Sequence, residues 1–186
     1  PERENCDGYA YDPENPSQHI IDMSENEIEV PEDYTREELR QDLLCYTSPV
    51  LKENLVLTGD MTAELYISSD APDTDFVVRV TDVDENGRSI KLADGLLSAR
   101  YRNGFARSEF LQEGEIVCLK IRTTKLSNCF RKGHRIRVTV TSSAKNFIFP
   151  NSNTREGFAS ARTVVAHNRV YHGGLHASRL TVRVEP

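Results

Sequence analysis

Residues 71–102 have the pattern of two long β-strands joined by a tight turn. The first strand alternates apolar side chains with others, which is typical of a strand with one buried face. The apolar face carries Phe76, Val78 and Val80, and the opposite face carries Val77, Arg79 and Thr81. Asn86-Gly87 predicts a type I′ hairpin turn, and Asp94-Gly95 predicts a β-bulge in the returning strand. We therefore predict a long β-hairpin around which the chain is organised.

Further segments of the chain alternate with the same two-residue period. They are residues 61–69, 116–124, 135–141 and 179–184, with a shorter strand at 163–167. Turn residues separate them, which is typical of an antiparallel β-sandwich or barrel. The period alone leaves immunoglobulin-like and jelly-roll topologies open. The predicted core residues are Leu65, Val78, Val80, Leu119, Ile121, Val138, Val140 and Val182.

The composition narrows the classes of function. The 186 residues can build one domain with a substantial core. A net charge of −6 argues against nucleic acid as a partner, because phosphates require a basic face. The chain has no apolar run of about 18 residues, so we expect no membrane span. Its four cysteines lack C-x-x-C spacing, which gives no support to a zinc site or redox pair. Free thiols and a reducing, cytoplasmic location are predicted.

The N-terminal region differs from the rest of the chain. Residues 1 to about 33 are rich in Asp, Glu, Asn and Pro and predict an extended linker. Thr35 and Glu38 have the spacing of a capping box, and Leu39 and Leu43 lie one helical turn apart. A single short helix of two turns is therefore expected here. Because the chain begins without methionine, we expect it to be part of a longer protein.

Two acidic clusters are candidates for metal or acid–base chemistry. Residues 82–87 begin like a calcium-binding loop, but the twelfth position, which needs a bidentate carboxylate, is Ala93. A solvated hairpin turn is the better interpretation. Asp73 and Asp75 share one face of a strand and could bind a cation or act as an acid–base pair. We favour a structural role, in which they accept backbone amide bonds.

Candidate catalytic residues lack the surroundings that catalysis requires. His172 and His176 are four residues apart, but Gly173-Gly174 argues against a helix that would bring them together. A serine nucleophile on a Gly-x-Ser-x-Gly elbow is absent, as are the phosphate-binding and zinc-protease motifs. We therefore predict no catalytic residue, no metal site and no cofactor in this chain.

A series of short motifs resembles one known family. The motifs are Asp73-Thr74-Asp75-Phe76, Asp82, Gly87-Arg88, Asp94-Gly95, Arg100-Tyr101-Arg102, Phe130, Gly133-His134-Arg135-Ile136-Arg137, Ser142-Ser143, Asn151, Asn153-Thr154, His172 and His176 with Ser178-Arg179-Leu180. In this order they resemble the C-terminal domain of the X-Pro dipeptidyl-peptidase and cocaine-esterase-like serine hydrolases. The resemblance covers residues 46–186. Ala177 and residues 145–150 depart from the family pattern in apparent loops.

The resemblance implies a fold and a set of partners. It implies an all-β jelly-roll β-sandwich, similar to galactose-binding domains, over residues 46–186. Residues 1–45, the linker and short helix, would lead from a missing N-terminal α/β-hydrolase domain that holds the Ser-Asp-His triad. The sandwich would pack on that domain, shape its substrate cleft or form a homo-oligomer contact. Ile20, Ile21 and Met23 are candidates for contact with the catalytic domain, or they pack under their own sandwich.

A second interpretation belongs to a different class of function. Jelly rolls also serve as carbohydrate-binding modules, because fold does not fix function. Such sites usually offer exposed aromatic platforms, whereas this chain has no tryptophan and no obvious cluster among its seven tyrosines. We therefore favour the non-catalytic domain of a serine hydrolase that cleaves an ester, an amide or an X-Pro dipeptide.

Overall fold

The computed structural model describes residues 5–21 and 31–184, which form twelve strands and three single-turn 3-10 helices. The first six strands are β1 (Cys6–Tyr11), β2 (Leu43–Thr47), β3 (Leu55–Gly59), β4 (Thr62–Ser69), β5 (Asp75–Val83) and β6 (Ser89–Ser98). The others are β7 (Val117–Arg122), β8 (Leu126–Phe130), β9 (Arg135–Thr141), β10 (Ala166–Gly173), β11 (His176–Ala177) and β12 (Arg179–Thr181). The 3-10 helices are Glu37–Leu39, Ala99–Tyr101 and Gly157–Ala159.

The strands pair in a nested, antiparallel pattern. Strand β1 pairs with β10, β2 with β9, β3 with β8, β4 with β7, and β5 with β6. One sheet has the order β1-β10-β4, with β7 and β12 also paired to β4, and the second has the order β2-β9-β5-β6. Strands β3 and β8 form a small third sheet. The prediction of an all-β sandwich is confirmed, while the jelly-roll topology stays a prediction.

The core lies between the two large sheets. Leu65, Val78, Leu119, Ile121 and Val140 are buried in one cluster. Val80 belongs to a smaller cluster beneath the β3–β8 pair, with Leu57, Met61, Ala93 and Phe130. Val138 and Val182 are only partly buried, although both pack against these clusters. The period-two pattern therefore predicted the facing of these side chains correctly but overestimated the burial of two of them.

The outer face of the second sheet is also buried, which the alternation did not predict. Arg79 and Thr81, which the alternation placed on the face away from the core, are fully buried, and Thr139 and Thr141 of β9 are fully or almost fully buried beside them. Segments 12–21 and 31–42 cover this face. Glu38 accepts a hydrogen bond from Thr81 (3.4 Å), and the carbonyl of Asp42 accepts one from Thr141 (2.9 Å). Strands covered on both faces do not alternate between buried and exposed side chains.

The prediction of an extended linker up to about residue 33 is wrong for Cys6–Tyr11. These residues form β1, which pairs with β10 along its whole length. Tyr9 and Tyr11 enter the core. Ser17 follows, fully buried, and its hydroxyl donates to the carbonyl of Ser143 (2.8 Å). Only two positions of β1, Tyr9 and Tyr11, place a large side chain in the core. Two positions are too few to make the two-residue period of a strand recognisable in a segment rich in polar residues.

The predicted two-turn helix is also wrong, because only the single turn Glu37–Leu39 forms and Leu43 already begins β2. Thr35 does not cap this turn. Its hydroxyl donates to Asp33 (2.5 Å) and accepts the backbone N–H of Ser89 (2.9 Å). Thr35 therefore joins the N-terminal segment to the edge of β6, and this pairing competes with helix formation.

The central hairpin forms, but its turn and its bulge differ from the predictions. Gly87 alone takes a positive φ (84°), while Asn86 does not, so the turn is not type I′. The Asp84 carboxylate accepts the N–H groups of Asn86 and Arg88 (2.8 and 2.9 Å), which favours this wider turn. The register between β5 and β6 shifts at Val80/Thr81, which leaves Leu92, rather than Asp94-Gly95, as the extra residue.

Candidate interdomain surface

Three loops meet at one end of the sandwich. They are residues 70–74, 99–116 and 142–165, which connect β4 to β5, β6 to β7 and β9 to β10. The register places them together, because Asp75 is opposite Ser98 and Ser69 is opposite Asn168. Loops carried at the end of a rigid sandwich are common sites of recognition, and these loops hold Asp73, Arg100 and Asn151 of the sequence motifs.

The Asp73 carboxylate is the centre of a buried polar network beneath these loops. The side chain of Asp73 is inaccessible to solvent. It accepts hydrogen bonds from the backbone N–H of Arg100 (2.9 Å), from Arg100 Nε (2.7 Å) and from Asn151 Nδ2 (2.7 Å). These three donors compensate the cost of removing a carboxylate from water. The network therefore joins the three loops into one rigid unit.

Asp75 completes this network. Its Oδ1 accepts a hydrogen bond from the same Asn151 Nδ2 (2.9 Å). Burial raises the pKa of Asp75, and the hydrogen bonds from Ser98 and Asn151 only partly oppose that shift. The fold thus brings Arg100 and Asn151, from two distant segments of the sequence, to Asp73 and Asp75. All four residues carried part of the family resemblance.

The loop that follows Asn151 is held in a fixed conformation. Asn153 adopts a left-handed φ of 63°, and its side-chain amide donates to the carbonyl of Val164 (2.6 Å). Gly157 also has a positive φ (62°), and a Cβ there would lie 3.1 Å from Arg100 Nη2. The same guanidinium donates to the carbonyls of Thr154 and Arg155 (3.1 and 3.0 Å). Arg100 therefore fixes this loop from below.

Large aromatic side chains stand exposed above the network. Phe149 and Phe158 are 81% and 78% exposed, and their rings stack with centroids 6.2 Å apart. Phe105 is 79% exposed and lies 5.5 Å from the Tyr101 ring. Tyr101, Phe149 and Phe158 line a cavity of about 180 Å³ with Asp73 and Asp75. We call Tyr101, Phe105, Phe149 and Phe158 the aromatic end.

The predicted contact residues near the N-terminus do not all behave alike. Ile20 is 37% exposed, whereas Ile21 is buried within this chain; Met23 lies outside the described residues. A β-bridge joins Gln18 to Lys145, and the His19 ring lies 5.0 Å from that of Phe147. Ile20 itself lines a pocket with residues of the turn between β5 and β6, while Ile21 contributes to the packing of its own sandwich.

Three of the histidines form pairs with carboxylates. His134 contacts Asp82 (2.9 Å), and His167 contacts Asp70 (2.7 Å). His172 contacts Asp7 (3.1 Å). Within residues 5–21 and 31–184, no three His, Cys, Asp or Glu side chains are arranged to hold a metal ion. All four cysteines are free thiols. No helix in the described part of the chain is long and apolar enough to cross a membrane.

Sequence reasoning missed the aromatic end. Phe105, Phe149 and Phe158 lie in segments with no two-residue period, so they were treated as loop residues without a function. The signal that could have found them is an isolated aromatic residue among loop-forming residues, as in Asn103-Gly104-Phe105 and Glu156-Gly157-Phe158. Such a residue has no strand position that would carry it into the core.

Comparisons with known proteins give a consistent result. The sequence model of a family described as the X-Pro dipeptidyl-peptidase C-terminal non-catalytic domain matches residues 3–181. The cocaine esterase of Rhodococcus sp. strain MB1 Bresler is 35% identical over 188 residues, which span 97% of this chain and 32% of that protein. This chain therefore spans about a third of the length of that relative.

Solved structures share the fold at lower sequence identity. An aminopeptidase from a marine sediment Thaumarchaeota archaeon superposes with a TM-score of 0.89 and 24% identity, over 98% of this chain and 33% of the other. An α-amino acid ester hydrolase superposes with a TM-score of 0.84 and 22% identity, over 97% and 32% of the two chains. Both matches place this fold within a chain about three times as long.

Proposed function

Since this chain belongs to the family of the X-Pro dipeptidyl-peptidase C-terminal non-catalytic domain, we propose that it packs on the catalytic α/β-hydrolase domain of a larger serine hydrolase. The observation that carries this proposal is the aromatic end. Three phenylalanines between 78% and 81% exposed stand on a rigid polar network. Clustered apolar exposure of this kind marks an interaction surface. The nested strand pairing also supports a jelly-roll topology for the domain.

The rigidity of the aromatic end favours a permanent contact. Arg100, Asp73 and Asn151 fix the loops before any partner arrives, so little conformational entropy is lost on docking. Removing a phenylalanine side chain from water contributes about 1.5–3 kcal/mol. Phe149 and Phe158 together can therefore provide most of the free energy of a small interdomain contact.

Ile20 belongs to a second surface of the chain. It is 37% exposed and lines a pocket with Asn86, Gly87 and Arg88 at the turn between β5 and β6. A catalytic domain that extends along this side of the sandwich would meet Ile20. Clefts between domains are frequent ligand sites. We propose that Ile20 contributes one wall of the substrate cleft.

The parent enzyme would cleave an ester, an amide or an X-Pro peptide bond. The proteins similar to this chain include a cocaine esterase, an aminopeptidase and an α-amino acid ester hydrolase, all of which are named for acyl-bond substrates. The Ser-Asp-His triad would lie in the catalytic domain, outside these 186 residues. The four free thiols are compatible with a reducing, cytoplasmic compartment.

The decisive experiment uses the parent enzyme with Phe149→Ser and Phe158→Ser combined. We expect amide hydrogen exchange to rise in residues 147–158 and the melting temperature to fall, because the contact loses its apolar anchors. The control is Leu175→Ser, since Leu175 is 88% exposed in the hairpin between β10 and β11, at the opposite end of the sandwich. Equal, small effects of both changes would refute docking through the aromatic end.

A carbohydrate-binding module is the second candidate, and one observation favours it. Phe149 and Phe158 form a flat platform beside a cavity that contains the polar groups of Asp75 and Asn151. A glycan array with the 186-residue chain separates the candidates. Saturable binding of one glycan, lost in Phe158→Ser, would support the carbohydrate module, whereas its absence leaves the docking proposal as the only one that uses this surface.

A further inference from the structure

The cavity at the aromatic end has aromatic side chains at its mouth and carboxylates at its base. Its volume is about 180 Å³. Tyr101, Phe149 and Phe158 form its aromatic walls, and Asp73 and Asp75 also line it. Phe149 and Phe158 are largely exposed, whereas both aspartates are buried. The rings therefore stand where the cavity opens to solvent, and the carboxylates lie beneath them.

Arg100 brings one positive charge to this cavity, and that charge is already used. Its Nε donates to the Asp73 carboxylate (2.7 Å), and its other two nitrogens donate to the carbonyls of Arg155 and Thr154 (3.0 and 3.1 Å). Each of the three guanidinium nitrogens is therefore engaged. Arg100 balances the charge of Asp73 and offers no nitrogen to a second carboxylate.

Asp75 and Glu156 add negative charge that Arg100 does not balance. The hydrogen-bond donors to Asp75 are neutral, namely Asn151 Nδ2 (2.9 Å) and the Ser98 side chain. Burial raises the pKa of Asp75, as expected for a carboxylate removed from water with only neutral donors bonded to it. Glu156 lines the cavity from an exposed position, where the hydrogen bond from the Thr154 side chain lowers its pKa. The cavity is therefore negative at its base and at its mouth.

Ring faces and carboxylates together are typical of sites for organic cations. A ring attracts a cation that lies within about 6 Å of its centre, and the Phe149 and Phe158 centroids are 6.2 Å apart, so one cation can lie within reach of both. Calcium and magnesium instead require about six oxygen ligands, and residues 5–21 and 31–184 hold no group of acidic, His or Cys side chains with that arrangement. A sugar would stack on the rings but would gain nothing from the excess negative charge.

We propose that this cavity receives a cationic side chain, a lysine or an arginine, of the catalytic α/β-hydrolase domain. This inference rests on the proposed docking of that domain on the aromatic end, because the two phenylalanines that anchor the contact also form the mouth of the cavity. The alkyl stem of the side chain packs against Phe149 and Phe158, and its charge lies between Glu156 at the mouth and Asp75 at the base. Such a charge pair fixes the orientation of the docked domain as well as adding affinity.

Butylammonium and 1-butanol are a matched pair of probes, since butylammonium has the stem and charge of a lysine side chain and 1-butanol has the same length without the charge. We expect butylammonium to shift the aromatic NMR signals of Tyr101, Phe149 and Phe158 saturably in the 186-residue chain. Binding of 1-butanol should be weaker by about tenfold or more, the effect of one charged hydrogen bond.

Four variants test the location of the charge. Asp75→Asn and Glu156→Gln should each weaken butylammonium binding by about tenfold; Glu156 is exposed, so its change keeps the test decisive should Asp75→Asn unfold. Phe158→Leu removes the ring but keeps an apolar side chain, and it should weaken binding by about two- to fivefold. Glu85→Gln is the matched control and should retain the affinity, because Glu85 is exposed in the turn between β5 and β6 at the opposite end. Circular dichroism and thermal melting check the fold of each variant.

The parent enzyme distinguishes a docked side chain from a free cation. We expect it to show no saturable binding of butylammonium at concentrations that saturate the 186-residue chain, because the catalytic domain already fills the cavity. Equal binding by the parent enzyme would overturn the assignment to a side chain of that domain. Absence of binding by the chain, or binding that survives both carboxylate changes, would overturn the cavity as a cation site. Docking itself is tested separately by hydrogen exchange in the Phe149→Ser, Phe158→Ser parent, so the two proposals can fail independently.

Discussion

The guanidinium carbon of Arg79 lies 3.9 Å from the centre of the Tyr34 ring. Arg79 is fully buried in the middle of β5, and its three guanidinium nitrogens make no hydrogen bond within the described residues. Tyr34 comes from the N-terminal segment that covers the outer face of this sheet. The ring face is therefore the principal close contact by which the segment compensates a buried positive charge.

The first prediction concerns this pair. Tyr34→Leu should destabilise the chain by about 3 kcal/mol, because the desolvated guanidinium loses its aromatic partner. In an Arg79→Met background the same change should cost roughly 2 kcal/mol less. Urea unfolding of the four proteins in a double-mutant cycle measures the coupling. Additive costs would mean that Tyr34 contributes only its packing.

The burial of Arg79 also shows which part of the fold the sequence pattern could not predict. Phe76, Val78 and Val80 were correctly placed in the core, because the period of a strand is a local property. Arg79 and Thr81 were placed outside, because nothing in their neighbourhood reveals that segment 31–42 covers them. That coverage depends on contacts such as Glu38 with Thr81, and contacts between distant segments leave no periodic signal.

Gly95 is a second residue whose structural role depends on a segment distant in the sequence. The pair Asp94-Gly95 predicted a bulge at this position, but the bulge lies at Leu92. The structure gives another reason for glycine, since a Cβ at Gly95 would lie 2.4 Å from the carbonyl oxygen of Arg122 in β7. The two strands belong to different sheets. A close approach between sheets requires glycine, and only the folded arrangement reveals it.

The second prediction compares two core positions. Leu119→Ala should cost about 2–5 kcal/mol, because Leu119 is fully buried and the change leaves a cavity. Val138→Ala should cost about 1 kcal/mol, since Val138 already borders an open cleft and the change removes only two methyl groups from partial contact. Thermal and urea unfolding measure both values. A larger loss at Val138 than at Leu119 would contradict the open cleft.

The third prediction tests the polar network under the aromatic end. Arg100→Met should cost about 3–5 kcal/mol, because it leaves the buried Asp73 carboxylate without its cationic partner. Asp73→Asn in the same chain should recover part of this loss by removing the charge. Arg155→Met is the control, since its guanidinium lies over Phe110 (4.5 Å) at an exposed position. If the midpoint of urea unfolding falls equally in the Arg100→Met and Arg155→Met variants, then Arg100 does not stabilise the buried Asp73 carboxylate as proposed.

The aromatic end also shows which part of the site was predictable. Asp73, Asp75, Arg100 and Asn151 stood out as motifs, yet nothing in the sequence joined them into one network. Their meeting follows from the register, in which Asp75 pairs with Ser98. Long-range strand register is fixed by the whole sandwich rather than by local pattern. The exposed phenylalanines were missed because no local rule distinguishes them from ordinary loop residues.

The fourth prediction concerns pH. Burial raises the pKa of Asp94, but the hydrogen bond from His19 and the charge of Lys91 outweigh it and lower the pKa to about 2. A carboxyl group with a depressed folded pKa stabilises the fold above its unfolded pKa of about 3.9, and that stabilisation is lost as the pH falls towards 2. We expect a loss of about 2 kcal/mol over this range. Asp94→Asn should flatten the profile of unfolding free energy between pH 5 and pH 2, and an unchanged slope would count against this assignment.

The last prediction separates this chain from the proposed parent enzyme. Acyl transfer requires a nucleophile, a base within hydrogen-bond reach and oxyanion donors held in one site. His134 and His167 contact Asp82 and Asp70, and the Ser142 hydroxyl bonds to Tyr9 (2.8 Å). We therefore expect the 186-residue chain neither to hydrolyse X-Pro anilides and aryl esters nor to react with a fluorophosphonate probe. The parent enzyme, which would hold the triad, should do both under the same conditions and is the positive control. Stoichiometric labelling of a serine in this chain, abolished by changing one histidine, would show that the domain carries its own catalytic site.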